Sequence, residues 1–209
     1  MSEVLKGVLV VIDVQNDFCP GGALEVKNGD QIVPIINRLS RLFPLVVATQ
    51  DWHPSNHVSF ASNHPGTNPF ETRSINGTPQ ILWPDHCVKG TKEADFHPDL
   101  DSSGISLILR KGTRPGLDSY SGFFENDRKT PTGLEYYLKG LGYSDVYVCG
   151  LATDFCVFFS AMDAARLGFK TYLIEDACRG VDVPEGNVAS SMKKMRDAGV
   201  VSRSSGDLD

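Results

Sequence analysis

The chain has 209 residues, 41% of them apolar and 22% charged, with a formal net charge of -6 and a pI near 5.3. That length suits one domain with a core of its own, residues 1–209, and the acidic balance argues against a general nucleic-acid or polyanion binder. No apolar stretch approaches the length of a membrane span and the first residues show no secretory pattern, so a cytoplasmic protein away from membranes is expected.

Residues 7–12, GVLVVI, form a continuous β-branched run that suits a strand covered on both faces. The turn-rich NDFCPGGALEV follows. A periodic segment then covers 30–42, with Asp30 as N-cap and Ile32, Ile35, Ile36 and Leu39 on one face. Pro34 falls in its first turn, where proline is tolerated. LVVATQ (45–50) reads as the second strand, ISLILRK (105–111) as the third, SDVYVCG (144–150) as the fourth and KTYLIED (170–176) as the fifth. Helical patterns fall at 131–140, 154–167 and 184–198, and GVVS (199–202) suits a short last strand. Apolar strands alternating with amphipathic helices predict an α/β fold, an open parallel sheet with helices on both faces in three layers. The exception is the stretch of about 51–104, which shows no clear helix and holds all five histidines and both tryptophans. Long irregular segments inside compact domains usually carry function.

The five cysteines, 19, 87, 149, 156 and 178, are odd in number and form no CxxC pair, so free thiols are expected. Cys149 lies within a strand-like run and suits the core; Cys19 and Cys178 have loop-like surroundings. Cys156 differs, because it stands near the start of the 154–167 helix. There the helix dipole and unpaired N–H groups favour a thiolate, although burial as a structural cysteine is the alternative.

Ligands of open parallel sheets sit at the carboxyl ends of the strands. Here the first strand ends in Asp13, the second in Asp51 and the third in Lys111, while the fourth leads through a tight turn to Cys156. Neighbouring strands are only about 4.8 Å apart, so an acid, a cation and a thiol at these ends can share one pocket. Such a set suits nucleophilic catalysis. Asp51 and His53, one residue apart, project the same way from extended backbone, and His86 from the later loop can complete a set of two imidazoles and a carboxylate. That set suits zinc, iron(II) or manganese. His57 and His64 are expected to be polar surface residues, and His97 a structural one.

The blocks VIDVQNDFCPGGALEV, TQDWHPSNHVSF, LWPDHCVKGTKEADFHPDL, KGTRPGLDSYSGFF and GLATDFCVFFSAMDAARLGF…DACRGV together resemble the nicotinamidases (pyrazinamidases) among the isochorismatase-like cysteine hydrolases, in order and from about residue 8 to 201. The resemblance implies a metal-dependent amidase acting on nicotinamide through a cysteine thioester. Asp13, Lys111 and Cys156 would be catalytic, and the backbone N–H groups of Ala152 and Cys156 would receive the oxyanion. Asp51, His53 and His86 would hold one divalent metal, zinc foremost, with Ser59 reaching it at most through water. Phe18 and Trp83 would sandwich the substrate ring, with Tyr120 on the wall. It further implies a non-proline cis peptide between Ala152 and Thr153, and self-association is common in the family. An N-carbamoylsarcosine-type amidase and a non-catalytic ligand-binding relative are the alternatives.

Overall fold

The computed structural model describes residues 5–75 and 77–208. Its centre is a six-stranded parallel sheet built from β1 (Val8–Ile12), β2 (Leu45–Asp51), β5 (Leu107–Lys111), β6 (Asp145–Leu151), β7 (Lys170–Arg179) and β8 (Val201–Arg203), in the order β5-β2-β1-β6-β7-β8. Four helices accompany it: α1 (Val33–Leu39), α2 (Leu134–Gly140), α3 (Phe158–Arg166) and α4 (Asn187–Asp197). Every residue of β1 and β2 is buried, which explains why those strands read as unbroken apolar runs. Chain direction across the sheet reverses at β1: β2 is added on one side and β6 on the other. Right-handed crossovers then put α1 on one face and the later helices on the opposite face. The gap between the ends of β1 and β6 is therefore the switch point, where such sheets bind ligands.

Several local expectations are corrected. Residues 29–32 form a 3-10 turn, so Asp30 caps nothing and α1 begins only at Val33, with Pro34 in its first turn. β5 starts at Leu107 rather than 105, because a 3-10 turn over Ser102–Gly104, capped by the Asp101 side chain, still shapes the chain there. α2 starts at Leu134, after Gly133 takes a left-handed φ of 100°. The 51–104 stretch is not wholly irregular: Thr72–Ile75 (β3) and Thr78–Ile81 (β4) pair as an antiparallel hairpin. Its first strand is mostly solvent-exposed, so no apolar alternation marked it. β7 continues to Arg179, past a register shift between Val148 and Gly150 of β6, which brings buried Cys178 opposite Gly150. All five cysteines are free. Among the described residues no helix is long and apolar enough to cross a membrane.

Gly150 is where the two central strands meet most closely. Its φ is 118°, and a Cβ there would lie 2.1 Å from the carbonyl oxygen of Ile12. Since both partners are backbone in central strands, neither can yield. Gly150→Ala should therefore destabilise the fold by about 3 kcal/mol or more, read as a lowered midpoint in urea unfolding.

Candidate active site

Asp13 follows β1 directly, with a left-handed φ of 47°. Its side chain is fixed from the neighbouring strand: Thr49 Oγ1 donates to Oδ1 at 2.6 Å and accepts from the Asp13 backbone N–H at 3.2 Å. Lys111, the last residue of β5, is 1% exposed, and its stem reaches past the end of β2. An ammonium has three donors, and here they go to Asp51 Oδ1 at 2.5 Å, the Ser119 carbonyl at 2.9 Å and Cys156 Sγ at 3.4 Å. Nζ also forms an ion pair with Asp13 Oδ2 at 2.9 Å. The Asp13 carboxylate is thus held between the Thr49 hydroxyl and the Lys111 ammonium. Carboxylate oxygens of Asp13 and Asp51 and the sulfur of Cys156 all lie within 4.8 Å of one another.

Cys156 sits in a π-helical turn, Thr153–Val157, that precedes α3. The 154–167 helix therefore begins as a wider coil, with Phe155 N–H and Val157 N–H both donating to the Ala152 carbonyl. The non-proline cis bond is Leu151–Ala152, one residue earlier than expected, where β6 ends and the turn begins. Burial raises the Cys156 thiol well above its ordinary range; the Lys111 ammonium opposes this, and the Asp13 and Asp51 carboxylates add to it. Burial likewise raises Asp13, against the pull of Lys111. Lys111 itself is disfavoured by burial, but Asp13 and Asp51 outweigh that and hold it charged. Asp51 ends below the carboxylate range because Lys111 and His53 overcome its burial.

A second group of donors adjoins the first through Asp51. The Asp51 backbone is clamped by Gln15, whose side chain donates to its carbonyl at 2.9 Å and accepts from its N–H at 2.8 Å. His53 Nδ1 donates to the Gly112 carbonyl at 2.9 Å, and His86 Nδ1 to the Pro84 carbonyl at 2.8 Å. A carbonyl can only accept, so these bonds assign a proton to Nδ1 and, in the neutral rings, leave each Nε2 with its lone pair. The two Nε2 atoms face Asp51 Oδ2 at 3.5 and 4.0 Å. Gly112 is required here: at φ 62° a Cβ would stand 2.2 Å from the His53 ring. This is the donor set and outer support that a divalent transition metal needs, and Asp51, His53 and His86 fit one.

His57 is not a surface residue. It is fully buried, stacked on His53 at 4.2 Å, and hydrogen-bonded to Ser59 Oγ at 2.7 Å. That bond also turns the Ser59 hydroxyl toward His57. His64 is partly exposed, its Nε2 donating to the Val58 carbonyl at 2.8 Å, and His97 holds a local turn through Asp99 N–H at 3.2 Å.

Cys156 of the first group and Asp51, His53 and His86 of the second line one cavity. Phe18, Trp83 and Tyr120 line it as expected, beside Cys156 and the Asp51–His53–His86 set. Trp83 Nε1 donates to Tyr120 Oη at 3.0 Å, and the Phe155 ring meets Trp83 edge-on at 4.9 Å. Leu24, Asp118, Phe155 and Val181 also line the cavity, and sequence reasoning missed them. Asp118 and Phe155 lay inside blocks already singled out, DSYS and TDFC, and were legible as neighbours. Leu24 and Val181 carried no signal, since each is one apolar residue in a loop.

A family model described as the isochorismatase domain matches residues 7–206. The chain belongs to the isochorismatase family. Within that family it is 50% identical to a nicotinamidase of Acinetobacter baylyi, over 96% of this chain and 93% of that one. A solved nicotinamidase/pyrazinamidase of Acinetobacter baumanii superposes with a TM-score of 0.95 at 52% identity, covering 98% of each chain. A pyrazinamidase of Pyrococcus horikoshii solved in complex with zinc gives a TM-score of 0.78 at 36% identity, covering 96% of this chain and 99% of that one.

The buried imidazoles give this isochorismatase-family site a measurable pH signature. Burial, with the nearby His53 charge, lowers His57 and His86 from 6.5 to about 4. Between those values the unfolded chain binds protons that the folded chain refuses. The stability each neutral ring contributes is therefore complete above 6.5 and lost as pH falls toward 4. In chelator-treated protein, the unfolding free energy of wild type relative to His57→Gln should fall across that window. A difference independent of pH would contradict the buried neutral ring.

Proposed function

We propose that this protein hydrolyses the carboxamide of nicotinamide, giving nicotinic acid and ammonia, in NAD salvage. Pyrazinamide, which presents the same carboxamide on a similar ring, is a second substrate. The observation that carries the reading is the Asp13 carboxylate and Lys111 ammonium set around a buried thiol that faces the same cavity as a metal-type donor set. Membership of the family and 50% identity to a nicotinamidase support it.

In this reading Asp13 Oδ2 takes the proton of Cys156 and the sulfur adds to the amide carbon. Lys111 keeps its charge throughout, and its donor on the sulfur stabilises the thiolate as it forms. The oxyanion is received by the backbone N–H groups of Ala152 and Cys156, each such donor typically lowering the barrier by about 3 kcal/mol. Asp13 returns the proton to the amide nitrogen, ammonia leaves, and a thioester remains on Cys156. Asp13 then accepts a proton from the water that adds to the thioester, and nicotinic acid is released with the thiol restored.

Asp51, His53 and His86 hold one divalent metal, and zinc in the Pyrococcus horikoshii relative supports zinc here, with iron or manganese suited to the same donors. A bound metal would supply a Lewis-acidic position beside the cavity, and Asp51, His53 and His86 would hold it within reach of a ring presented to Cys156. Phe18 and Trp83 flank the ring and Tyr120 completes the wall. We read residues 1–209 as one hydrolase domain and about 51–104 as the insertion that carries the metal ligands.

Ammonia release from nicotinamide tests this directly. Cys156→Ala and Asp13→Asn should each lose at least about 10³-fold in kcat, the scale expected for members of a covalent catalytic unit. Activity surviving in Cys156→Ala would remove the covalent step, and wild type no faster on nicotinamide than on a simple aliphatic amide would remove the substrate. Separately, His86→Ala should weaken zinc retention at least about tenfold, measured by elemental analysis after dialysis against a graded chelator.

A further inference from the structure

One side of the cavity is formed by the segment that follows β7, which contributes Val181 to the lining. One buried carboxylate joins this segment to the turn that carries Cys156. Asp154, two residues before Cys156 in the same π-helical turn, is 3% exposed. Its Oδ1 accepts the Val181 N–H at 2.9 Å, and its Oδ2 accepts the Asp182 N–H and the Asn187 side-chain N–H, each at 3.0 Å. All three donors belong to residues 181–187, so a buried charge is matched by one loop and the start of α4. The seating is close: a Cβ on Gly180 would lie 2.9 Å from Asp154 Oδ1 and 2.3 Å from the Val188 side chain. Asp182, with φ 56°, turns the chain back, and its Oδ1 accepts the Val188 N–H at 2.9 Å. Beyond it Val183 is 42% exposed, so the outer side of this segment meets solvent.

We propose that Asp154 is a positioning residue for substrate: it holds Val181 as a wall of the ring cavity in fixed register with the nucleophile two residues away. The same turn then sets both the aim of the sulfur and the width of the space in front of it. Misplacing a wall by about 1 Å can cost a large factor in productive binding. Nothing in the acid–base chemistry uses Asp154, whose oxygens are occupied by amide donors. The inference rests on the reading of the cavity as the nicotinamide site.

Steady-state kinetics on the zinc-loaded protein with nicotinamide test it, using Asp154→Asn, Asn187→Ala, Val181→Ala and the Asp154→Asn/Val181→Ala pair. An Asn at 154 turns an amide N–H toward donors, so its KM should rise about tenfold with kcat changed less than about threefold, the signature of lost binding rather than lost chemistry. Asn187→Ala, which removes one of the three bonds, should shift KM in the same direction by less. Val181→Ala should raise KM, and the double variant should be no worse than the weaker-binding single, because both changes remove the same wall. Multiplying effects in the double variant, or a lowered kcat and melting temperature at unchanged KM, would overturn the inference. If Asp154→Asn does not fold, Asn187→Ala and its pair with Val181→Ala decide on the same terms. A wild type that turns nicotinamide over while its variants show no KM shift overturns the inference alone. A wild type with no turnover overturns the proposed activity and the inference together.

Discussion

The ammonium of Lys111, buried among the side chains of Asp13, Asp51 and Cys156, is the contact on which the rest of the site depends. Removing an ammonium from water costs several kcal/mol, and only close opposite charge and satisfied donors recover it. Here two carboxylates and a carbonyl do so. Either carboxylate alone would be an unpaired buried charge, and the two together would repel. The cation makes their coexistence possible. Its reach also joins the end of β5 to the ends of β1 and β2 and to the turn after β6, so four adjacent strands share one electrostatic centre.

That centre divides the labour between its two carboxylates by giving them different partners. Asp51 receives a charged donor on one oxygen and faces two imidazole nitrogens with the other; it is held ionised and suits a cation. Asp13 receives a neutral hydroxyl on one oxygen and the ammonium on the other; burial keeps its proton affinity high and suits it to proton transfer. Two residues of the same type, both at strand ends, thus acquire opposite tasks from their surroundings. The sulfur follows the same logic. Burial favours the thiol until a base takes its proton, and the ammonium then stabilises the anion it becomes.

The support around these groups is mostly backbone. Gly112 and Pro84 carbonyls fix the imidazoles, Gln15 grips both backbone groups of Asp51, and Asp154 holds the outer wall through amide donors. Carbonyls and amides on strands and tight turns move little, so the side chains they hold are pre-set before any ligand arrives. His57 belongs to this layer: stacked on His53 and paired with Ser59, it packs the side of the donor set away from solvent.

The sequence by itself determined the sheet and the reactive set. β1, β2, β6 and β7 are covered strands whose burial requires unbroken β-branched and apolar runs, and such runs are visible without a structure. Asp13, Asp51, Lys111 and the Asp51–His53 pair were legible because a parallel sheet places whatever follows each strand at one rim. What tertiary structure alone decided is everything that depends on two distant segments meeting. The hairpin at 72–81 lies on the surface and needs no apolar pattern. The π-helical turn around Cys156 stands where the sequence pattern suggests an ordinary helix start. His57 is a surface residue by its local neighbours and a core residue by the fold. Val181 and Leu24 became cavity walls only when their loops came to rest beside Trp83 and Cys156. Local patterns record burial and chain direction, whereas packing between loops is recorded nowhere in either segment alone.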